Sequence, residues 1–366
     1  MIRRWVFGLL LVVVWVGGKS AKAADESFSG KFSVEAGSLQ APGGSLQPFQ
    51  FSRLLVEGRN DLSSNLSYGL SAEADWQTAA LGSRPPWPLY PQKNAVVLED
   101  TNLSSSDGSN VYSARVNRVY LKWVSGSVEA TAGLQSFNWG ISRFYRPTNY
   151  FFPCGPLDWT RDQPLGSEAL DASCFLFDDL SLEGAARLLE GGTAEEVLRL
   201  VNKGIGLTVT PSFAWMKGRN GLGLEAMGTL PDFQVRLEGV DWLYPDGHAA
   251  AEWVVGLSTV KDGTTYTLEA FRDETGNMLG FYSSAPASQA TYVSASVEKD
   301  FTDGWKVSPS LAFSLEGGPL LFWPKASWGF STHWELEFEA QIQLGRVAGP
   351  LALNPGRAGL SVSYSF

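Results

Sequence analysis

Two histidines and two cysteines are all that 366 residues supply of the side chains most used in metal and nucleophilic chemistry. His248 and His333 lie far apart, so no Ser-His-carboxylate triad or zinc site assembles from neighbours in the chain. His333 beside Ser331 and Thr332 is the single local arrangement that places a base near hydroxyls. No Cys-x-x-Cys-His occurs, which excludes covalent haem, and Gly221-x-Gly223 has no helix after it to cradle a phosphate. These shortages predict no cofactor, no metal and no enzyme. Long apolar runs are also missing: past residue 16 nothing approaches the roughly 18 to 20 residues a spanning helix needs, so a bundle of membrane helices is excluded. Charged residues make up only 18%, and the formal net charge is −10, which rules against a nucleic-acid binder.

What is present starts at the N-terminus. Arg3 and Arg4 precede an apolar run from Trp5 to Val16, and Ala21-Lys22-Ala23 offers small residues at cleavage positions. This reads as a secretory signal over 1–23, with the mature chain at 24–366. Losing Arg3, Arg4, Lys19 and Lys22, and no anion, takes the formal charge from −10 to −14.

Abundant Gly, Trp, Phe and Tyr are spread in patterns that repeat every second residue. In 334–344, Trp334, Leu336, Phe338, Ala340, Ile342 and Leu344 form one face, with Glu335, Glu337, Glu339, Gln341 and Gln343 on the other. That alternation suits a strand with lipid on one side and water on the other. At the C-terminus Leu360, Val362, Tyr364 and Phe366 alternate with Gly359, Ser361, Ser363 and Ser365, and a chain ending on an aromatic resembles the terminal assembly signal of bacterial outer-membrane barrels. Candidate strands fall near 28–37, 49–58, 65–76, 113–124, 127–137, 178–189, 206–217 and 221–229. The rest lie near 232–243, 249–260, 264–273, 290–301, 304–316, 319–331, 333–345 and 357–366. The fold class is therefore all-β: a closed transmembrane antiparallel barrel of about 16 strands, or about 14 without the weakest pair. A secreted soluble β sandwich is the competing architecture.

Connections alternate between short turns and longer loops, as in barrels with periplasmic turns and outer loops. One inner connection, 190–205, is longer. Its Thr193-Ala194-Glu195-Glu196 box, followed by Val197, Leu198, Leu200 and Val201, predicts a short periplasmic helix near 192–203. It is either a structured turn or a contact for a partner. Trp123, Phe233, Tyr266, Phe301, Trp305, Trp334 and Phe366 all fall at the short-turn ends, where a membrane border favours amphipathic rings.

With apolar phases turned to lipid, the polar phases collect Glu73, Asp75, Glu129, Arg236, Glu252, Glu269, Glu298, Glu335, Glu337 and Glu339 as pore-lining candidates. Carboxylates outnumber cations, which predicts a cation-preferring lumen. The outer loop assigned to 138–177 is rich in aromatics and proline and carries Trp139, Arg143, Arg146, Asn149 and Arg161. It is expected to fold inward and constrict the channel, or else to cap its mouth. Cys154 and Cys174 both fall in it, and an exported pair would be oxidised; closing a loop of about 20 residues adds roughly 3 kcal/mol.

The run from Gly133 through Gln135, Trp139-Gly140, Arg143, Pro147-Thr148-Asn149 and Pro153 resembles a signature of uncharacterised outer-membrane porin-like families, including relatives of the alginate-export type. Asn149 stands where that pattern carries an acidic residue. The resemblance covers about 20 residues and implies a barrel channel without naming a solute. The expected function is passive diffusion of small hydrophilic solutes across the outer membrane, reached through the general secretory pathway. The expected partners are outer-membrane lipid and the barrel-assembly machinery, with a homo-oligomer or a periplasmic partner left open. The alternative is a structural barrel or export port acting with partner proteins, for which 190–205 is the discriminating segment.

Overall fold

The computed structural model describes residues 27–40, 46–79, 103–107, 110–151, 166–189, 192–204, 206–275, 290–315, 320–344 and 357–366. Its staves in chain order begin with β1 (Ser27–Gln40), β2 (Leu46–Ser63), β3 (Leu66–Ala79), β4 (Asn110–Ser125), β5 (Val128–Gln135) and β6 (Ser167–Phe177). Then come β7 (Leu180–Leu188), β8 (Ala194–Gly204), β9 (Leu207–Met216), β10 (Arg219–Thr229), β11 (Gln234–Leu243) and β12 (Ala249–Lys261). The last six are β13 (Thr264–Asp273), β14 (Ala290–Asp300), β15 (Trp305–Val307 with Ser310–Ser314), β16 (Leu320–Trp323 with Lys325–Gly329), β17 (Trp334–Leu344) and β18 (Arg357–Ser365). A short accessory strand, Leu103–Asp107, hairpins onto the start of β4.

Each stave pairs antiparallel with the next, and β18 returns to β1 in register, Ser363 opposite Ser33 and Gly359 opposite Gly37. Gly30 and Phe366 exchange N–H···O=C bonds of 2.9 Å in both directions at the end of this seam. The sheet therefore has no free edge, and its backbone donors and acceptors are satisfied around the ring. Two staves are interrupted at Pro309 and Pro324, which lack an N–H for the ladder. Their carbonyls still accept, from Val297 and Ala340, each at 3.0 Å, so the wall continues past both breaks.

The barrel has 18 staves, two more than the sequence reading, and both additions lie where other structure was expected. Residues 167–177, assigned to the outer loop, are β6; residues 192–203, assigned to a helix, lie mostly in β8. In β8 the inner positions Glu195, Val197, Arg199 and Val201 are buried, while Glu196, Leu198 and Leu200 are exposed on the outer face. Valines inside and leucines outside place apolar residues at both helical and strand spacings, and ladder pairing with β7 and β9 on either side makes the segment a strand. β6 went unread because its inner face carries Ser167, Ala169, Asp171 and Ser173, too small and polar to mark a period. With both added, the long inner connection vanishes.

Turns at one rim are uniformly short: Ser64-Asn65, Gly126-Ser127, Asp178-Asp179, Leu230 to Phe233, Asp262-Gly263, Phe301 to Gly304 and Phe330 to His333, and β8 ends at Gly204 just before β9 begins at Leu207. Asp262 and Gly263 both take positive φ, 51° and 69°, the mirror-image turn that matches strand twist in a two-residue hairpin. The first and last staves both meet this rim. At the opposite rim consecutive staves are further apart in sequence: β3 ends at Ala79 and β4 begins at Asn110, and β5 ends at Gln135 and β6 begins at Ser167.

The two faces differ as the alternation requires. Val255, Leu257, Leu268, Phe338, Leu360 and Val362 are exposed on the outer face. Moving each such side chain from water into hydrocarbon is worth roughly 2 kcal/mol. At the short-turn rim, Trp123, Phe233, Tyr266, Phe301, Trp305, Trp334 and Phe366 are all exposed. Part of this set stacks into a continuous row from Trp305 through Trp328, Phe330, Trp334 and Tyr364 to Phe366, with neighbouring centroids 4.9 to 6.4 Å apart.

Candidate pore interior and constriction segment

The segment 136–151, leaving β5, runs along the inner wall and is held by two aromatic anchorages. Phe137, Tyr150 and Phe151 pack on Ala169, Ala185, Val197, Ala214, Val240 and Trp242 of β6 to β11. Phe144 and Tyr145 pack on Val254, Phe271, Tyr292, Ala312, Leu321 and Trp323 of β12 to β16. Three alanines, Ala169, Ala185 and Ala214, make room for the first anchorage, and the rings of Phe271, Tyr292 and Trp323 meet the second.

Between the anchorages, three wall carboxylates grip the segment. Glu238 accepts the backbone N–H groups of Ile141 and Ser142 at 2.8 Å, that of Thr148 at 3.2 Å, and the Thr148 hydroxyl at 2.8 Å. Glu269 accepts the N–H groups of Arg143 at 2.8 Å and Phe144 at 2.9 Å, with the Arg236 guanidinium at 3.3 Å. Glu252 accepts the Tyr145 hydroxyl at 2.7 Å and the Thr275 hydroxyl at 2.7 Å. A carboxylate taken out of water survives only with such charge-assisted donors. Gly140 makes the approach possible: its φ is +90°, and a Cβ there would sit 2.6 Å from a Glu238 oxygen.

The phenols of the segment respond to this enclosure. Burial, reinforced by the Glu252 and Asp273 charges, holds the Tyr145 hydroxyl well above the usual range for ionisation. Burial also raises Tyr150, and a 2.6 Å hydrogen bond with Ser212 only partly opposes it. Both phenols stay neutral at physiological pH.

Of the expected constriction residues, Trp139 packs on Phe137 and Phe151 and lies under the Arg199 guanidinium at 5.0 Å. Arg143 reaches out to Glu298 at 2.6 Å, and Lys306 meets the same carboxylate at 2.6 Å from the other side. Arg146 turns back, bonding the Ser142 carbonyl at 2.8 Å and the Asn138 side chain. Asn149 is fully buried and its N–H closes a turn onto the Arg146 carbonyl at 3.2 Å. It therefore helps shape the segment instead of facing open space. Arg161 and Cys154 lie outside the described residues. Cys174 is a free thiol on β6, on the outward face with Leu170 and Leu176.

All ten expected pore-lining residues fall on the inner face, but in two settings. Glu252 and Glu269, at 2% and 0% exposure, are sealed beneath the segment and present no charge to open space. The others are mostly paired: Arg53 with Glu73 at 3.3 Å and Asp75 at 3.0 Å, Lys122 with Glu129 at 2.6 Å, and Lys325 with Glu337 at 2.8 Å. Arg236 also holds the Ser258 hydroxyl at 2.6 Å. Glu335 and Glu339 flank Glu337 on the same face, opposite Gly329 and Lys325. The wall is thus more compensated than residue counts implied.

Sequence reasoning missed Glu238, although it shares the inner phase with Arg236. It also missed Arg187, with Glu195 at 2.6 Å, and Arg199, which joins Glu183 at 2.6 Å to Glu225 at 2.8 Å. The helix expected over 192–203 concealed Arg199 and Glu195. Elsewhere, His333 Nδ1 lies 2.9 Å from the Ser365 carbonyl, and the Ser331 hydroxyl accepts turn N–H groups from His333 and Trp334.

No family model and no curated protein matches the chain. Among solved structures, the chain resembles OccAB3 of Acinetobacter baumannii, with TM-score 0.60 and 11% identity over 94% of this chain and 100% of that one. It also resembles OccK9 (OpdG) of Pseudomonas aeruginosa, with TM-score 0.61 and 11% identity over 93% and 98%. The third, the outer membrane protein OpdK of the same organism, solved with vanillate, gives 0.58 and 10% over 93% and 98%. At these identities the likeness is one of fold, and it is a likeness over nearly the whole length of both chains.

Proposed function

We propose that the protein is an outer-membrane channel for passive diffusion of small hydrophilic solutes, with a preference for cations. The observation that carries the reading is the inward segment 136–151: a barrel whose interior is narrowed by a clamped segment on a charged wall is built to select among solutes. The apolar outer face, the aromatic row at one rim and the fold shared with outer-membrane proteins support placement in that membrane. The cation preference rests on the acidic mature chain and on Glu335, Glu337 and Glu339 along one stave, where Lys325 bridges Glu337. The likeness to alginate-export-type families rests on the run from Gly133 through Gln135, Trp139-Gly140, Arg143, Pro147-Thr148-Asn149 and Pro153. The export-port alternative loses its distinguishing helix, because that segment is a wall strand.

Liposome swelling tests the proposal. Vesicles carrying the refolded protein should admit small sugars and amino acids at rates that fall steeply with solute size. Rates equal to those of empty vesicles would contradict it.

A further inference from the structure

At the short-turn rim a cleft of about 750 Å³ opens between the Leu230 to Phe233 turn and the end of β12 at Lys261. The ladder joining β11 to β12 ends at the rung Gln234–Ser258. Thr259, Val260 and Lys261 run on past it, paired with β13. On the facing side, the Leu230 N–H bonds the Phe233 carbonyl at 2.7 Å, which folds that turn onto itself instead of across the notch.

One wall of the cleft belongs to the membrane border. Phe233 and Tyr266, both among the rim aromatics, line it with Leu230 and Val260, and all four are exposed. Beyond Tyr266 the outward face continues into the bilayer through Leu257 and Leu268, which are register partners and equally exposed. An apolar wall that runs into the lipid-facing surface suits an amphiphile better than water.

The polar edge carries one charge of each sign. Asp232 sits in the turn and Lys261 at the end of β12, and both line the cleft. Among the described residues neither has an ion-pair partner, and they do not bridge to each other. Lys261 continues the outward phase of Leu257 and Thr259, so its stem can lie along the apolar wall with the ammonium at headgroup level. A simple anion or cation meets one attraction and one repulsion here. A zwitterion meets two attractions.

We infer that the cleft seats one zwitterionic glycerophospholipid whose headgroup ends in a primary ammonium. Its phosphate lies against Lys261, its ammonium donates to Asp232, and its acyl chains follow Tyr266, Leu257 and Leu268. The cleft falls within the roughly 300 to 1,000 Å³ usual for small-molecule sites, with the chains left outside in the bilayer. A primary ammonium brings three donors to the carboxylate, which a quaternary one lacks. The inference depends on the barrel lying in a membrane and not on the passage of any solute.

Native mass spectrometry tests it on the refolded full-length protein in detergent, titrated with phosphatidylethanolamine, phosphatidylglycerol or phosphatidylcholine of equal chain length. The wild type should retain phosphatidylethanolamine at the lowest lipid concentration. Asp232→Asn should weaken that binding about fivefold, the worth of one exposed ion pair, and leave phosphatidylglycerol no weaker. Lys261→Ala should weaken both. Both residues are exposed at the rim, so the ladder survives either change. Equal retention of ethanolamine and glycerol lipids in all three proteins would show only a general lipid shell and overturns the inference. In the wild type alone, phosphatidylglycerol or phosphatidylcholine bound as tightly as phosphatidylethanolamine overturns it too, as does retention of no lipid at all. A bilayer that stays electrically silent contradicts the channel and leaves the lipid seat standing.

Discussion

Thr148 and Glu238 are 90 positions apart in sequence, yet the Thr148 hydroxyl donates to Glu238 Oε1 at 2.8 Å with both residues fully buried. This contact ties the constriction segment to stave β11. Two further N–H groups, of Ile141 and Ser142, depend on the other oxygen of the same carboxylate.

Replacing Glu238 with Ala strands those donors. Hydrogen bonds to a charged group contribute about 1.5 to 3 kcal/mol each, so the segment should lose on the order of 3 kcal/mol or more of local stability while the barrel persists. Limited proteolysis should then cut within 136–151, and single-channel current should become larger and noisier. Wild-type protection and current in the Ala variant would show that Glu238 does not clamp the segment.

The buried phenols make a pH prediction. The Tyr145 pKa is raised in the fold, so its hydrogen bond to Glu252 contributes fully below the ordinary phenol value of about 10 and is lost only as pH rises beyond it toward the folded value. Phenolate absorbance at about pH 11 should therefore be the same in Tyr145→Phe and in the wild type. A drop of one full phenolate in the variant would place Tyr145 in contact with water.

At the closing seam, a Cβ on Gly30 would lie 2.3 Å from the Phe366 ring. Gly30→Val should push the ring aside, weaken the paired Gly30 and Phe366 backbone bonds and lower the yield of closed barrel. Heat-modifiable mobility on a denaturing gel reads this directly. Phe366→Ala, which removes the last ring of the aromatic row and of the Leu360, Val362, Tyr364 series, should cut assembly in cells more than refolding in detergent. Equal losses in both settings would make the ring a purely structural element, without a part in recognition by assembly machinery.

Neutralising Glu335, Glu337 and Glu339 together should reduce the cation-to-anion permeability ratio and leave the fold intact, since their stave is held by ladder bonds on both sides. An unchanged ratio would place these carboxylates away from the solute path.

Much of the barrel was legible because outward-facing side chains obey a single rule. Trp334 to Leu344 alternates cleanly since one face meets only an apolar surround, and the seven rim aromatics follow from the same constraint. Legibility failed where the inside was not simply polar. Val197 in β8 turns inward beneath Phe137, Tyr150 and Phe151, and Val201 is buried on the same face, which gave that stave apolar residues on two faces and a helical look. β6 carries small residues inside to receive the same rings, and so lost its signal. The segment itself was identified by its aromatics, but its clamp was not. A lone Glu238 in a strand cannot announce four donors supplied by residues almost a hundred positions away. Charge counts misled for a related reason: Glu252 and Glu269 look like pore charges in sequence and are anchors in space.

Planar-bilayer recording of the refolded protein across a salt gradient reads the pore and its charge together. Discrete conductance steps are expected, with a reversal potential displaced toward cation selectivity. A membrane that stays electrically silent would contradict the channel, and a displacement toward anions would contradict the charge assignment of its interior.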